Sequence, residues 1–344
     1  MNDSQPKKMM PINILRILQE RTDAEHTLSA KDIMDILESD YQMIVDRKSV
    51  KRNLVSLVEE GFNIAYTTTV RTGKEGTSEI YSNWYYVHEF EPSELRLLID
   101  SISLSHHIPP KQSRDLVDKL KRLSNRYFSP HVKHVASLPE KGIVNKELLF
   151  IIEVLDSAIR TKRRVACNYG TYDTDKKLKP RLGPDGKPKR YLLNPYQLAS
   201  TNGRYYLVCN NTEHEGLMNL RVDRIMRIEP LDEPATPLSK LDGQHGELDL
   251  ARHVSEHIYM FSDTVEDVRI RVAREDLMHV FDWFGTDVRI IAQTDKDADV
   301  LLRADVTAIQ HWALQFCKHV EILEPASLRK QMQATAQELV ARYQ

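Results

Sequence analysis

His253, Glu256 and His257 stand at the HxxEH spacing, in which two histidines four residues apart on a helix ligate zinc and the glutamate between them acts as a base. The pattern fixes only His, Glu and His, so it recurs by chance, and here it falls in a short connecting stretch rather than in a large catalytic region. A zinc metallopeptidase is therefore the disfavoured alternative. No Walker loop, GxGxxG or GxSxG occurs, which leaves nucleotide hydrolysis, dinucleotide chemistry and serine hydrolysis without support. Cys167, Cys209 and Cys317 form no CxxC pair, against both a disulfide framework and a cysteine zinc site. No catalytic residue, metal ligand or cofactor is assigned.

The remaining chemistry is that of binding. At about 100° per residue, Arg47, Lys48, Lys51 and Arg52 share one arc of a helix, while Val50, Leu54 and Leu57 share another. Four cations near a helix N-terminus oppose the macrodipole, which favours acids there, and phosphate binding explains the placement. Lys48, Ser49 and Arg52 are the candidates for reaching base edges; Arg47, Lys51, Arg71 and Lys74 are those for phosphates. Arg and Lys read guanine best, so G-containing half-sites are expected. A second constellation lies mid-chain. The net charge of −2 divides into +8 over residues 160–230, −3 over residues 1–90 and −7 over the remainder. Within that basic island Tyr169, Tyr196, Tyr205 and Tyr206 join Lys189, Arg190, Arg221 and Arg224 as candidates for stacking on and neutralising an anionic ligand. On a strand Arg221 and Arg224 would face opposite sides, so at most one of them can line a given pocket wall.

The elements that would position these groups follow from periodicity. Apolar spacing predicts a helix over 11–21 and a second to about residue 39 behind the cap Ser29; Asp46 caps a third over 47–60, and Gly61 ends it. The β-rich runs 62–70 and 79–87, around a basic tip, complete a winged helix-turn-helix. Helical runs 91–107 and 111–127 form a linker or dimerising unit, followed by a helix over 145–161. Short strands over 165–229 suggest a small β-barrel, with Asn202-Gly203 as its plainest hairpin turn and residues 173–190 as a long mobile loop. From residue 266 the order βαββαβ predicts a ferredoxin-like domain. With 344 residues, 28% charged and 41% hydrophobic, a multidomain α+β protein is expected. Its divisions are 1–90, 91–144, 145–235, a connector 236–264, and 265–344. No leader and no apolar stretch of membrane-spanning length is found, so a soluble cytoplasmic protein with no membrane partner is expected.

Asn202-Gly203-Arg204-Tyr205-Tyr206-Leu207 and Arg221-Val222-Asp223-Arg224-Ile225 resemble the WYL domain. The whole order resembles WYL-containing transcriptional regulators with a DeoR-like N-terminal winged helix and a C-terminal extension domain. Residues 45–54 resemble that family's recognition helix, and Glu60-Gly61-Phe62 the turn into its wing. Two positions depart: Tyr205 stands for the family's Trp, and Met218 for an Arg that helps hold an anion. The resemblance implies a small SH3- or Sm-like barrel that senses a nucleotide or nucleic-acid ligand and controls DNA binding in stress or phage-defence loci. The expected protein is a homodimeric regulator on an imperfect palindrome in double-stranded DNA, a repressor rather than an activator because steric blocking needs no polymerase contact. The alternative is a non-specific nucleic-acid-binding accessory subunit of a defence or repair complex, distinguishable by equal affinity for unrelated duplexes.

Overall fold

The computed structural model describes residues 7–73, 76–105, 108–128, 145–213, 216–241 and 248–344. The chain divides into two compact units, Met1–Lys141 and Gly142–Gln344.

In the first unit, α1 (Met10–Arg21), α2 (Ala30–Tyr41) and α3 (Arg47–Glu59) pack through one apolar cluster. Ile14, Leu18, Ile33, Leu37, Val50, Leu54 and, from the hairpin, Trp84 are among its fully buried members. Local signals set the helix ends. Ser29 forms a capping box with Asp32, and Asp46 caps α3 through the Ser49 amide. Gly61 takes φ +87°, a conformation that costs a side-chain-bearing residue about 1 kcal/mol or more. Strands β1 (Ile64–Gly73) and β2 (Gly76–Tyr86) form an antiparallel hairpin that brings Arg71 opposite Ser78. Leu28 exchanges backbone hydrogen bonds of 2.9 Å with Trp84, tying the hairpin to the α1–α2 turn. Two further helices, α4 (Pro92–Ser103) and α5 (Pro110–Lys121), stop short of the helical runs expected to residues 107 and 127. Leu95 and Ile99 of α4 are buried with Phe128, whereas Leu98 is 40% exposed.

The second unit opens with α6 (Leu148–Thr161), whose Leu148, Ile151 and Leu155 lie against a six-stranded antiparallel sheet. That sheet comprises β3 (Arg163–Tyr172), β4 (Leu178–Pro180), β5 (Arg190–Thr201), β6 (Arg204–Asn211), β7 (Met218–Arg221) and β8 (Ile225–Pro234). The order is β4-β3-β5-β6-β7, with β8 paired to β3. The expected barrel is thus not closed: β7 pairs with β6 and β8 with β3, and no ladder joins β7 to β8 among the described residues. The supposed loop 173–190 is also corrected, since it contains β4 and a bridge between Leu182 and Pro188. Gly170 permits that pairing, because a Cβ there would lie 2.6 Å from Leu178. Asn202 and Gly203 take φ +51° and +67°, the left-handed pair that a two-residue hairpin turn requires.

After α7 (Leu250–Glu256) come β9 (Val265–Ala273), α8 (Leu277–Phe284), β10 (Arg289–Gln293), β11 (Asp297–Asp305), α9 (Val306–Gln315), β12 (Val320–Glu324) and α10 (Ala326–Tyr343). Their sheet runs β10-β11-β9-β12, antiparallel throughout, and buries Ile270, Val300, Ile309 and Trp312. No helix among the described residues is long and apolar enough to cross a membrane.

Leu207 is fully buried on β6 under α6. Leu207→Ala is expected to destabilise the second unit by about 2–5 kcal/mol in urea unfolding; a loss below about 1 kcal/mol would show that this cluster is not its core.

Candidate functional site

Two constellations result from these elements, one in each unit. In the first, burial of Val50, Leu54 and Leu57 fixes the rotation of α3. Arg47, Lys48 and Arg52 are consequently exposed and Lys51 partly so. Among the described residues none of the four, nor Arg71 on the exposed end of β1, has a carboxylate within ion-pair distance. Ser49 differs from its expected part. Its amide and hydroxyl both donate to Asp46, at 2.9 and 2.7 Å, so its side chain serves the cap. The Ser49 hydroxyl, and then the backbone amides, hold the Asp46 carboxyl below its ordinary range. The cap is therefore complete at and above the usual carboxylate pKa and is lost as pH falls through the lowered value. Lys74, expected at the hairpin tip, lies outside the described residues.

In the second unit much of the basic island is neutralised internally. Arg164 pairs with Glu233 at 3.0 Å, Lys179 with Asp173 and Asp175 at 2.8 and 3.0 Å, and Lys189 with Glu213 at 2.9 Å. Arg190 pairs with Glu229. Lys189 and Arg190, expected as ligand contacts, are thus engaged with the chain's own carboxylates. The tyrosines also separate. Tyr169 is a core residue whose hydroxyl accepts the Arg221 amide at 3.1 Å, and burial pushes its ionisation up. Tyr206 is buried in a different cluster with Ala199, Val208 and Met260. Tyr205 is partly buried against the α6 side of the sheet. Tyr196 donates to the Thr236 carbonyl at 2.9 Å, and burial pushes it up to about 12.

What the fold does gather is the turn after β7. Arg221 ends that strand, and Val222–Arg224 form a 3-10 turn, so the strand alternation expected to separate Arg221 from Arg224 does not apply. Asp223, with its side chain 8% exposed, receives Arg221 in a two-pronged contact of 3.0 and 2.6 Å, and Arg204 at 3.6 Å. Arg224 leans over the Tyr172 ring, 5.9 Å from its centroid, with its Nε buried and unpartnered among the described residues. Burial and Asp223 raise the Tyr172 hydroxyl. Tyr172 also lines a cavity of about 340 Å³ with Lys146, Met226 and Arg227. Two guanidiniums on one carboxylate, with Arg224 beside them on Tyr172, leave a local excess of positive charge, and the orphaned Arg224 Nε is a donor that an anion can satisfy. Tyr172, Arg204 and Asp223 were not singled out as ligand contacts, although Arg204 follows the Asn-Gly turn and Asp223 lies between the two arginines that were. Met218 packs partly buried against the core and supplies no charge.

Among the described residues the ligand atoms of His253, Glu256 and His257 are not gathered into one cluster. His253 Nε2 bonds Asn219 Oδ1 at 2.9 Å, His257 Nδ1 donates to the His253 carbonyl at 2.8 Å, and the two rings stack at 4.2 Å. Burial and then the neighbouring imidazole bring His253 down to about 4. Glu256 is held by Arg252 at 2.8 Å and Arg303 at 3.1 Å.

Residues 151–230 match the WYL domain and residues 264–340 the WCX domain, so the chain contains both. Among solved structures, proteasome accessory factor B/C (PafBC) of Arthrobacter aurescens is 15% identical with a TM-score of 0.28, the match covering 99% of this chain and 51% of that one. This chain thus spans about half the length of that relative. A CRISPR Cas-related protein is 16% identical with a TM-score of 0.36, covering 98% of this chain and 84% of the other. No curated protein matches the chain.

Asp223 competes with any incoming anion for Arg221. Asp223→Asn removes that charge while leaving an amide oxygen to accept from the guanidinium, so affinity for inorganic phosphate, titrated by calorimetry, is expected to rise about three- to tenfold. Unchanged or weaker phosphate binding would show that the turn does not receive anions.

Proposed function

We propose that the protein is a sequence-specific, double-stranded-DNA-binding transcriptional regulator, acting as a repressor, whose WYL domain senses an anionic, nucleotide-like ligand. The observation that carries this reading is the cationic arc of α3, turned outward by the burial of Val50, Leu54 and Leu57 and left without carboxylate partners among the described residues. A helix so arranged, behind two helices and ahead of a hairpin carrying Arg71, suits a winged helix-turn-helix with α3 in the major groove. Lys48 and Arg52 then read base edges. Arg47, Lys51, Arg71 and Lys74 neutralise phosphates. Ser49 contributes by holding the first turn of the helix.

The protein acts as a homodimer on two half-sites of an imperfect palindrome. Leu97 and Leu98 of α4, 68% and 40% exposed, are apolar groups available to a second copy. An anion held by Arg204, Arg221 and Arg224 alters operator affinity only through its differential affinity for the DNA-competent and incompetent dimer geometries. The reading places the protein in stress or phage-defence control through its likeness to WYL regulators.

Footprinting on DNA upstream of the protein's own coding region identifies the site, and fluorescence anisotropy then sorts the roles. Arg47→Ala and Lys51→Ala are expected to weaken binding evenly across sequences and to reduce the slope of log affinity against log salt by about 0.9 each. Arg52→Ala should cost about 1–3 kcal/mol on the operator and relax preference at one base pair. Equal loss on every duplex from Arg52→Ala would remove its base-reading role. A wild-type protein that binds unrelated duplexes equally would instead be the non-specific accessory subunit.

A further inference from the structure

The first unit contains a cavity of about 420 Å³, bounded by the α1–α2 turn, the exit from β2 and the segment after α5. A volume of this size suits a small molecule. Its lining is unusual for a protein expected to bind anions. Tyr86, His88, Phe90 and Tyr127 give it an aromatic wall, and Asp23, Glu25 and Glu91 supply carboxylates, while no Lys or Arg is among the described lining residues. Some of this chemistry is structural. Asp23 accepts from Asn125 and from the His26 ring, at 2.9 and 2.8 Å, and His26 stacks on Tyr127 at 3.7 Å. Glu25 and Glu91 are both exposed, and neither has an ion-pair partner among the described residues, although Glu91 also accepts the Glu94 amide in the capping box that starts α4. At the rim the Arg126 guanidinium stands 5.1 Å from the Tyr127 ring centroid and donates to its hydroxyl at 3.0 Å, so that ring is already engaged and Tyr86, His88 and Phe90 are the aromatic groups left to a ligand.

We infer that this cavity binds a small organic amine in its ammonium form, with the aromatic faces taking the cation and Glu25 and Glu91 balancing its charge. A neutral ligand would leave those carboxylates uncompensated, and an anion would be repelled by them. The site also has a mechanical setting. Asn125 donates to the Thr22 carbonyl at 2.9 Å, and the Arg126 amide to the Glu20 carbonyl at 3.0 Å. A ligand in the cavity therefore bridges the three-helix body to the segment that follows α5, adding to ties already present. This inference is independent of DNA binding.

Three probes of similar size, one cationic, one neutral and one anionic, test it on the full chain: 2-phenylethylamine, 2-phenylethanol and phenylacetate, measured by thermal shift and by saturation-transfer NMR. The amine is expected to bind at least about tenfold more tightly than either analogue. Glu25→Gln, at an exposed position outside any helix cap, should weaken that preference while the unliganded melting temperature stays constant, and adding Glu91→Gln, which keeps an amide oxygen for the Glu94 amide, should erase it. Equal or tighter binding of the alcohol or the acid, no response to the amine at about 10 mM, or an undiminished preference in the double variant would overturn the assignment.

Discussion

Burial of Val50, Leu54 and Leu57 against α1 and α2 obliges the opposite side of α3 to face outward, and that side carries Arg47, Lys48, Lys51 and Arg52. A helix with a fixed apolar stripe has no rotational freedom left, so the direction of its cations is set by the core and not by the cations. Asp46 completes the constraint by holding the first turn, where repulsion among the positive charges and the helix dipole both act to fray it. The proposed contact with DNA rests on this arrangement of an apolar anchor, an acidic cap and an open basic arc.

Charge is handled differently in the second unit. There the guanidinium and ammonium groups of Arg164, Lys179, Lys189 and Arg190 are spent on carboxylates of neighbouring strands and turns, and solvent screening keeps such exposed pairs weak. A positive stretch of sequence is therefore not a positive surface. The excess survives where Arg204 and Arg221 share the single Asp223, and the Nε of Arg224, which leans over Tyr172, is buried without a partner among the described residues. The two units thus offer anion chemistry of two kinds: an extended, solvated arc suited to a polyanion, and a compact turn suited to a small anionic group.

Much of the fold was legible because its signals are local. Ser29 and Asp46 announced their helices by side-chain capping, and Asn202-Gly203 announced a turn that only left-handed residues can make. What was not legible depends on pairing at a distance. Barrel closure is a matter of whether β7 and β8 meet, which no residue in either strand encodes. Strand β4 is three residues long and ends in proline, too short to show alternation, and it forms because Gly170 makes room for Leu178. For the site, Arg221 and Arg224 were found by type, but their relation was misjudged because a 3-10 turn interrupts the strand between them. Tyr169 and Tyr206 carry hydroxyls that leave their sequence roles open, and only packing shows that both rings belong to cores. HxxEH failed for a related reason: spacing on a helix places the side chains, while Asn219, Arg252 and Arg303 decide what they bind.

The most direct measurement is mass-spectrometric footprinting of lysine acetylation, with and without a duplex that the full-length protein binds. Lys48 and Lys51 should become strongly protected on adding DNA, while Lys119 and Lys121 of α5 keep their reactivity. Unchanged acetylation of Lys48 and Lys51 in the complex, with protection appearing on lysines of the second unit instead, would contradict the assignment of α3 as the DNA-contacting helix.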